Sequence, residues 1–458
     1  MIKDFKNKKI LILGLGLNEG GVGSAKFFAK KGADILVTDL KNADSLKPSL
    51  EKLKEFINVK YHLGGHKKED IDWADLVIRN PALKPDNQFL KYAKEKGKKI
   101  TTDLGIFLEF INRNQIIGVT GTKGKSTTAS LIFEVIKKLH LGGLPAGRQG
   151  VTRKAILTGN IGKSVLDSIE DIGKDTLVIL EISSFQLESF NDKKVSPKYA
   201  VITNIYQDHL NYYTSMEEYV ASKKLIAINQ DENDFLFVNK DDKQINNTEF
   251  LSGIKSQIVY FSSDDLPAGF KPLLPGKYNL SNFAAALAVT KKLGVGEDVT
   301  IKVFGKFKGV PFRMELVKEW NGVKIYNNTT ATAPEPAIES LKTFPNSILI
   351  CGGMNKGLDY GKFAQAIGKY AKEVYFLEGD ATEALSNQLS AISQKKVRGN
   401  YNNLTALLEA VKKRVQSGDV ILSPQVILFS PGATSFNLFQ NEFDRGRKFN
   451  EAVERVFV

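Results

Sequence analysis

The chain has 458 residues, room for about three domains at roughly 100–200 residues each. Its 42% apolar and 25% charged residues exclude a disordered or fibrous class, and a single cysteine, Cys351, excludes a disulfide framework and fits a reducing cytosol. The net charge of +13 reads first as a lysine-rich solvated surface and second as a field for anionic ligands such as nucleotides; the lysines are spread out, so no nucleic-acid partner is expected.

The charged start MIKDFKNKK leads into an apolar run over 10–17 that is short for a signal peptide, contains Gly14 and Gly16, and lacks a small-residue cleavage site. No stretch approaches the roughly 20 apolar residues that span a bilayer. A cytoplasmic protein without a membrane partner is therefore expected. Strand-like runs then alternate with helical patterns, which predicts parallel α/β architecture. Strands are expected over 9–13, 35–38, 76–78, 116–119, 176–181, 200–204, 235–238, 347–351, 373–377 and 426–430. Helices are expected over 24–31, 50–56, 126–139, 216–228, 280–293, 333–341 and 404–417.

The first strand opens into GLGLNEGG (14–21), and Asp39 ends the second strand in VTDL, as in dinucleotide-binding folds. Glu19 takes the third glycine's place, which makes an NAD signature weak. The backbone N–H groups over 15–21 can still hold a diphosphate, with RNPAL (79–83) as the loop beside it. A polar turn at 112–114 marks a first domain boundary, giving 1–113.

The run IIGVTGTKGKSTTAS (116–130) is strand, Gly/Thr loop and helix start in the order that a phosphate cradle requires. Gly121, Thr122, Lys123 and Gly124 form the loop, Lys125 reaches the β/γ-phosphates, and Ser126 with Thr127 opens the helix, the Ser126 hydroxyl being placed for Mg²⁺. The generic pattern puts its first glycine at 119; here Val119 stands there, flanked by Gly118 and Gly121. The glycine-rich stretch 141–153 reads as an exposed loop of no catalytic importance. In LVILEISSFQLESF (177–190) a buried strand ends in Glu181, and TNIYQDHLNYY (203–213) brings Asp208 and His209 to a similar edge, so Ser126, Glu181 and His209 can surround nucleotide-bound metal. For His209 a structural role stays open beside ligation. Gly and Pro at 309–311 mark the second boundary, giving 114–309 and 310–458. Late in the chain VILSP (420–424) is nearly repeated by VILFSP (426–431), and only one copy can fill a given core strand.

With TGTKGKST, EISSFQLE and NIYQDHL in that order, the chain resembles the Mur ligases of peptidoglycan synthesis over essentially its whole length, and EISSFQLE resembles the D-glutamate-adding branch. The resemblance implies three consecutive α/β domains: a Rossmann-like N-terminal domain, a central P-loop ATPase domain and a Rossmann-like C-terminal domain. It implies ATP and two Mg²⁺ ions as cofactors, UDP-N-acetylmuramoyl-L-alanine and D-glutamate as substrates, and a monomer. Lys125, Glu181, His209 and Lys223 would be catalytic, with Ser126, Glu181, His209 and Lys223 at the metals. Lys223, four residues after Tyr219, falls where the family carries a lysine carbamylated by CO₂, although Lys224 adjoins it and an ordinary exposed lysine is the alternative. Asn279 and Asn282 would meet the adenine side of ATP, and Arg313 and Asn328 its phosphates and ribose. Leu15, Gly16 and Asp39 would hold the uridine diphosphate; Asn160 and Ser183 the muramoyl substrate; Thr332, Lys356, Ser435 and Phe443 the D-glutamate. Tyr278 and Phe312 stand where the family has His, Asn328 where it has Asp, and Thr330 where it has Lys.

The implied chemistry is attack of a carboxylate on the ATP γ-phosphorus, then of an amine on the resulting acyl phosphate. The phosphate loop alone leaves other readings open: a Mur ligase adding a different amino acid, a folylpolyglutamate synthase, an NAD-binding regulator with an NTPase module, and a non-catalytic nucleotide-binding relic.

Overall fold

The structure, a computed structural model, describes residues 4–458 except 18, 141–153, 162–163, 210–211, 275, 356–357, 418–425 and 436–437. The expected loop over 141–153, the repeat copy at 420–424 and Lys356 lie outside the described residues. The rest forms two compact units, residues up to 270 with 277–304, and 271–276 with 305–458.

The first unit holds two parallel sheets. One contains β1 (Lys9–Leu13), β2 (Asp34–Asp39), β3 (Val59–Leu63), β4 (Leu76–Arg79) and β5 (Lys99–Thr101) in the order β3-β2-β1-β4-β5. The other contains β6 (Ile116–Thr120), β7 (Ala155–Gly159), β8 (Leu177–Glu181), β9 (Tyr199–Ile202), β10 (Phe235–Asn239) and β11 (Gln257–Phe261) in the order β11-β10-β9-β6-β8-β7. Strands β6 and β8 are buried along their whole length, as parallel strands covered on both faces must be. Each order reverses beside its first strand, and ligands bind at such switch points, outside the carboxyl ends of the strands. The two sheets share one core, in which Phe28 and Phe107 belong to the same cluster as Ile116 and Leu180. Buried Thr102 and Ser189 hydrogen bond across it at 2.6 Å.

The second unit holds β12 (Glu315–Trp320), β13 (Val323–Asn327), β14 (Ile348–Gly352), β15 (Glu373–Leu377), β16 (Val397–Tyr401) and β17 (Val426–Phe429), ordered β12-β13-β17-β14-β15-β16. Strand β12 alone among these is antiparallel to its neighbour. It joins β13 through Asn321-Gly322, both at positive φ (48° and 78°), the pair that a two-residue hairpin turn favours. Of the two near-identical apolar segments, the second supplies the central strand β17.

Several expected elements shift. The helix expected over 50–56 lies at Ala43–Glu51, where the Asn42 side chain caps it by accepting from Ser45 N–H and Leu46 and Ser49 are buried; Pro48 hides this helix from a propensity reading. The helix expected over 24–31 starts at Glu19, so three glycines lie inside it. The helix expected over 216–228 stops at Lys224. The strand expected over 200–204 stops at Ile202, because Thr203 and Asn204 leave the sheet to grip the phosphate loop. No described helix is long and apolar enough to cross a membrane.

Candidate active site

Strand β6 delivers the chain into the loop at Gly121 (φ 141°) and Gly124 (φ 87°), after which the helix Lys125–His140 begins. Only glycine fits either position. A Cβ at Gly121 would lie 2.0 Å from Thr203 Oγ1, and one at Gly124 2.0 Å from Asn282 Oδ1. The segment after β9 holds the loop from the other side. Thr122 N–H donates to Asn204 O (2.9 Å), Lys123 N–H to Asn204 Oδ1 (2.9 Å), and Thr203 Oγ1 to Lys123 O (2.6 Å). The backbone donors of Thr122 and Lys123 are thus spent inside the protein. A phosphate would instead meet those from Gly124 into the first helical turn, where Ser126 and Thr127 are buried. Lys125 Nζ lies back on the loop, donating to Gly121 O (2.9 Å) and Thr122 O (3.0 Å), while exposed Lys123 reaches Asp208 at 3.4 Å.

At the same sheet edge β8 ends in Glu181, 2% exposed and in register with Val119 and Gly159. Asn160 follows β7 and donates its backbone N–H to Glu181 O (2.9 Å) and its side-chain amide to Glu181 Oε1 (3.4 Å). Ser183 caps the next helix, paired with Gln186 in a capping box. His209, at φ 56°, sits edge-on to the Phe185 ring at 5.0 Å. Burial lowers its pKa, and the Lys223, Lys125 and Lys123 charges add to this against the pull of Asp208, so the neutral imidazole that ligates metal is favoured. Burial pushes the Asp208 carboxyl up, but the His209 and Lys123 charges outweigh it and hold the pKa below the ordinary value.

Lys223 is 1% exposed. Its ammonium donates to Thr120 Oγ1 and Gly121 O, both at 3.2 Å. Burial and then the Lys125 charge lower its pKa well below the ordinary value, against the pull of Asp208 and Glu181. Lys224 instead turns away to Ser252 O, so of the two adjacent lysines Lys223 is the one at the phosphate loop. Glu181, Ser126 and neutral His209 offer the oxygen and nitrogen donors that Mg²⁺ accepts beside phosphates, although the described residues contain no ready cluster of three or more His, Cys, Asp or Glu.

On the far side of the loop, buried Asn279 and Asn282 join at 3.1 Å, with Asn282 against Gly124. In the N-terminal crevice Leu15 is fully buried, and the Gly16 N–H donates to Asp39 Oδ2 at 2.8 Å. Asp39 also accepts from Lys41 N–H. It therefore shapes its own loop, and the Gly16 donor that the glycine pattern offered to a diphosphate is already engaged. Asn80 N–H donates to Leu13 O (2.9 Å), setting 79–83 beside this loop.

In the second unit Arg313 is exposed on a tight turn between Phe312 (φ 66°) and Met314 (φ 50°). Asn328 and Thr330 build that turn: Asn328 Oδ1 accepts from Met314 N–H and its amide donates to Ser430 Oγ, while Thr330 Oγ1 donates to Phe312 O. The polar atoms of Asn328 are thus engaged within the fold. Thr332 is half-buried. Ser435 Oγ is buried with no hydrogen-bond partner among the described residues, and Phe443 is 39% exposed, edge-on to Phe312. Sequence reading missed Arg445, whose buried guanidinium joins Thr329 Oγ1, Thr329 O and Ala433 O between the segments carrying Thr332 and Ser435. It also missed Asn204; the signal for it was the polar pair TN at a strand end directly before IYQDH.

Residues 8–102 match the family described as Mur ligase MurD-like, N-terminal domain; 119–272 match the Mur ligase middle domain; 312–423 match the Mur ligase, glutamate ligase domain. A UDP-N-acetylmuramoylalanine–D-glutamate ligase of Roseiflexus sp. is 34% identical, the alignment covering 98% of both chains. One of Borreliella burgdorferi is 34% identical over 100% of both, and one of Clostridioides difficile 30% identical over 99% of this chain and 100% of that one. Among solved structures, UDP-N-acetylmuramate-alanine ligase from Thermotoga maritima aligns with a TM-score of 0.55 at 22% identity, covering 98% of this chain and 99% of that one. This last likeness concerns the fold.

Proposed function

Since the chain belongs to the Mur ligase family, we infer that it is the ATP-dependent ligase adding D-glutamate to UDP-N-acetylmuramoyl-L-alanine in peptidoglycan precursor synthesis, a cytoplasmic reaction. The observation that carries the ATP chemistry is the buried Lys223 amine against Thr120 and Gly121 of the phosphate loop, on the sheet edge that also presents Glu181. Three names of relatives, each matched over nearly full length, support the choice of D-glutamate.

A free carboxylate is a poor electrophile, so a phosphoryl leaving group must be attached first. The L-alanyl carboxylate oxygen forms a bond to the γ-phosphorus while the β–γ bridging bond breaks, releasing ADP. The D-glutamate amine then attacks the acyl carbon, the C–O bond to phosphate breaks, and the amine loses a proton. We assign Lys125 and the first turn of its helix to neutralising phosphate charge, and Asn279 and Asn282 to the base side. Glu181, His209 and the Ser126 hydroxyl would hold two Mg²⁺ ions, which would supply screening of the phosphates and polarisation of the γ-phosphoryl group. A carbamate on Lys223 would turn a buried amine into an anionic oxygen donor, and the lowered amine pKa favours the neutral form that reacts with CO₂. Leu15, Asn160 and Ser183 are assigned to the UDP-substrate, with Gly16 and Asp39 shaping the loop that would receive it; Thr332, Lys356, Ser435 and Phe443 to D-glutamate; and Arg313 to a phosphate.

Purified protein should release phosphate from ATP only when UDP-N-acetylmuramoyl-L-alanine and D-glutamate are both present. Equal turnover with L-lysine or glycine in place of D-glutamate would remove the specificity assignment. Lys125→Ala should abolish turnover in a folded protein.

A further inference from the structure

The turn over 239–242 (NKDD), at the carboxyl end of β10, belongs to none of the motifs used above. Asn239 and Asp242 are nonetheless each only 8% exposed, and their side chains reach the two segments that frame the phosphate loop. Asn239 donates its amide to Thr203 O (3.4 Å) and to Ser281 Oγ (3.1 Å). Asp242 Oδ2 accepts from Ile205 N–H at 2.7 Å, and Oδ1 from Gln244 N–H at 2.9 Å. Thr203 and Asn204 carry the hydrogen bonds that hold the loop carbonyl and N–H groups at 122–123. Ser281 precedes Asn282, the residue packed against Gly124 and bonded to Asn279.

We propose that Asn239 and Asp242 are positioning residues for the nucleotide: one turn ties the phosphate-gripping segment 203–205 to the helix that carries the base-side asparagines, and so sets the spacing between phosphate and base subsites. This deepens the reading of the loop as an ATP site and rests on it. The turn is a useful anchor because it is rigid at its base. Asn239 ends a strand paired on both sides, and its Oδ1 accepts from Asp241 N–H. Neither side chain need touch the nucleotide. Each holds a backbone or hydroxyl group on an element that does, and losing one lets that element drift by the few tenths of an ångström that matter for several converging phosphate contacts.

The test is calorimetric titration of the full chain with Mg-ADP and, separately, with UDP-N-acetylmuramoyl-L-alanine, together with melting temperatures. Asn239→Ala removes both arms and should raise the ADP Kd about tenfold, the loss of one to two ordinary hydrogen bonds. Ser281→Ala cuts only the base arm and should give a smaller rise, about threefold. Asp242→Ala should weaken ADP about tenfold, and Asp242→Asn, which keeps an acceptor for Ile205 N–H, should return it to within about threefold. Affinity for the UDP-substrate should stay within about twofold throughout. A lowered melting temperature with unchanged ADP affinity in Asn239→Ala and Asp242→Ala would make the turn purely structural and overturn the proposal. If neither alanine variant folds, Ser281→Ala decides it, since it cuts the base arm alone, and wild-type ADP affinity in it would sink the proposal. Failure of the wild-type chain to bind ADP would instead remove the ATP-site reading beneath it.

Discussion

Gly124→Ala isolates what the phosphate loop owes to backbone geometry. At φ 87° a side chain costs about 1–2 kcal/mol. The new Cβ would also lie 2.0 Å from Asn282 Oδ1 and 2.8 Å from its Cγ, distances that force Asn282 to move. Its 3.1 Å hydrogen bond to Asn279 would then be lost, at about 0.5–1.5 kcal/mol. The unliganded loop can relax away from this strain, so most of the cost falls on the nucleotide that must pull it back. A total of roughly 2–3 kcal/mol corresponds to ADP binding about 30- to 150-fold weaker. The comparison is Gly294→Ala, where φ is 82° but no atom lies within 4 Å of the new Cβ. That variant carries the backbone cost alone, at the end of a helix, and should lower the melting temperature while leaving ADP affinity unchanged. Binding of ADP by Gly124→Ala within about threefold of wild type would refute the reasoning.

Lys223 should carry one added CO₂ by native mass spectrometry in bicarbonate, Lys223→Ala should lose turnover, and Lys224→Ala, whose amine faces Ser252, should keep it. A fully active chain that is never modified would exclude the carbamate. Arg79, buried and paired with Glu188 while donating to Leu83 O, should show a coupling of about 1 kcal/mol with Glu188 in a double-mutant cycle read by denaturation; additive losses would show the pair to be idle. Burial raises the Glu373 carboxyl, but hydrogen bonds and charge from Arg414 and Arg398 outweigh it, so its folded pKa lies below the ordinary 4.5. Its stabilisation is therefore complete above the unfolded pKa and lost as pH falls through the folded one. Glu373→Gln should cost about 1–2 kcal/mol at neutral pH, allowing for the partly exposed arginines, and flatten the acid limb of the unfolding curve. An unchanged acid limb would contradict this.

What could be read from the sequence was set by how local the physical constraint is. The phosphate loop was legible because its glycines, its lysine and the start of its helix all fall within a short stretch of chain. Glu181 was legible because a strand buried on both faces has no other use for a carboxylate at its end. By contrast, β3, β5, β11 and β16 mix exposed and half-buried residues, so they give neither a continuous apolar run nor clean alternation. Pro48 hid a helix whose cap, Asn42, was in plain view. Asn239 carried no sequence signal, and Asn204 only the weak one of a polar pair at a strand end. Each acts on a segment about 40 to 80 residues away, and an asparagine at a strand end is equally at home in any turn.

Three of the residues that the resemblance marks as departures from the family pattern are a different case, because the fold brings them together. Phe312, Asn328 and Thr330 meet in one turn, where Thr330 N–H and Oγ1 both donate to Phe312 O and Asn328 accepts from Met314 N–H. Asn328 and Thr330 are both neutral, so neither adds a charge to the turn. Phe312 then packs edge-on against Phe443, which an imidazole would do less well once solvated. The hydrogen-bonded set closes on itself and leaves Arg313 exposed on the turn.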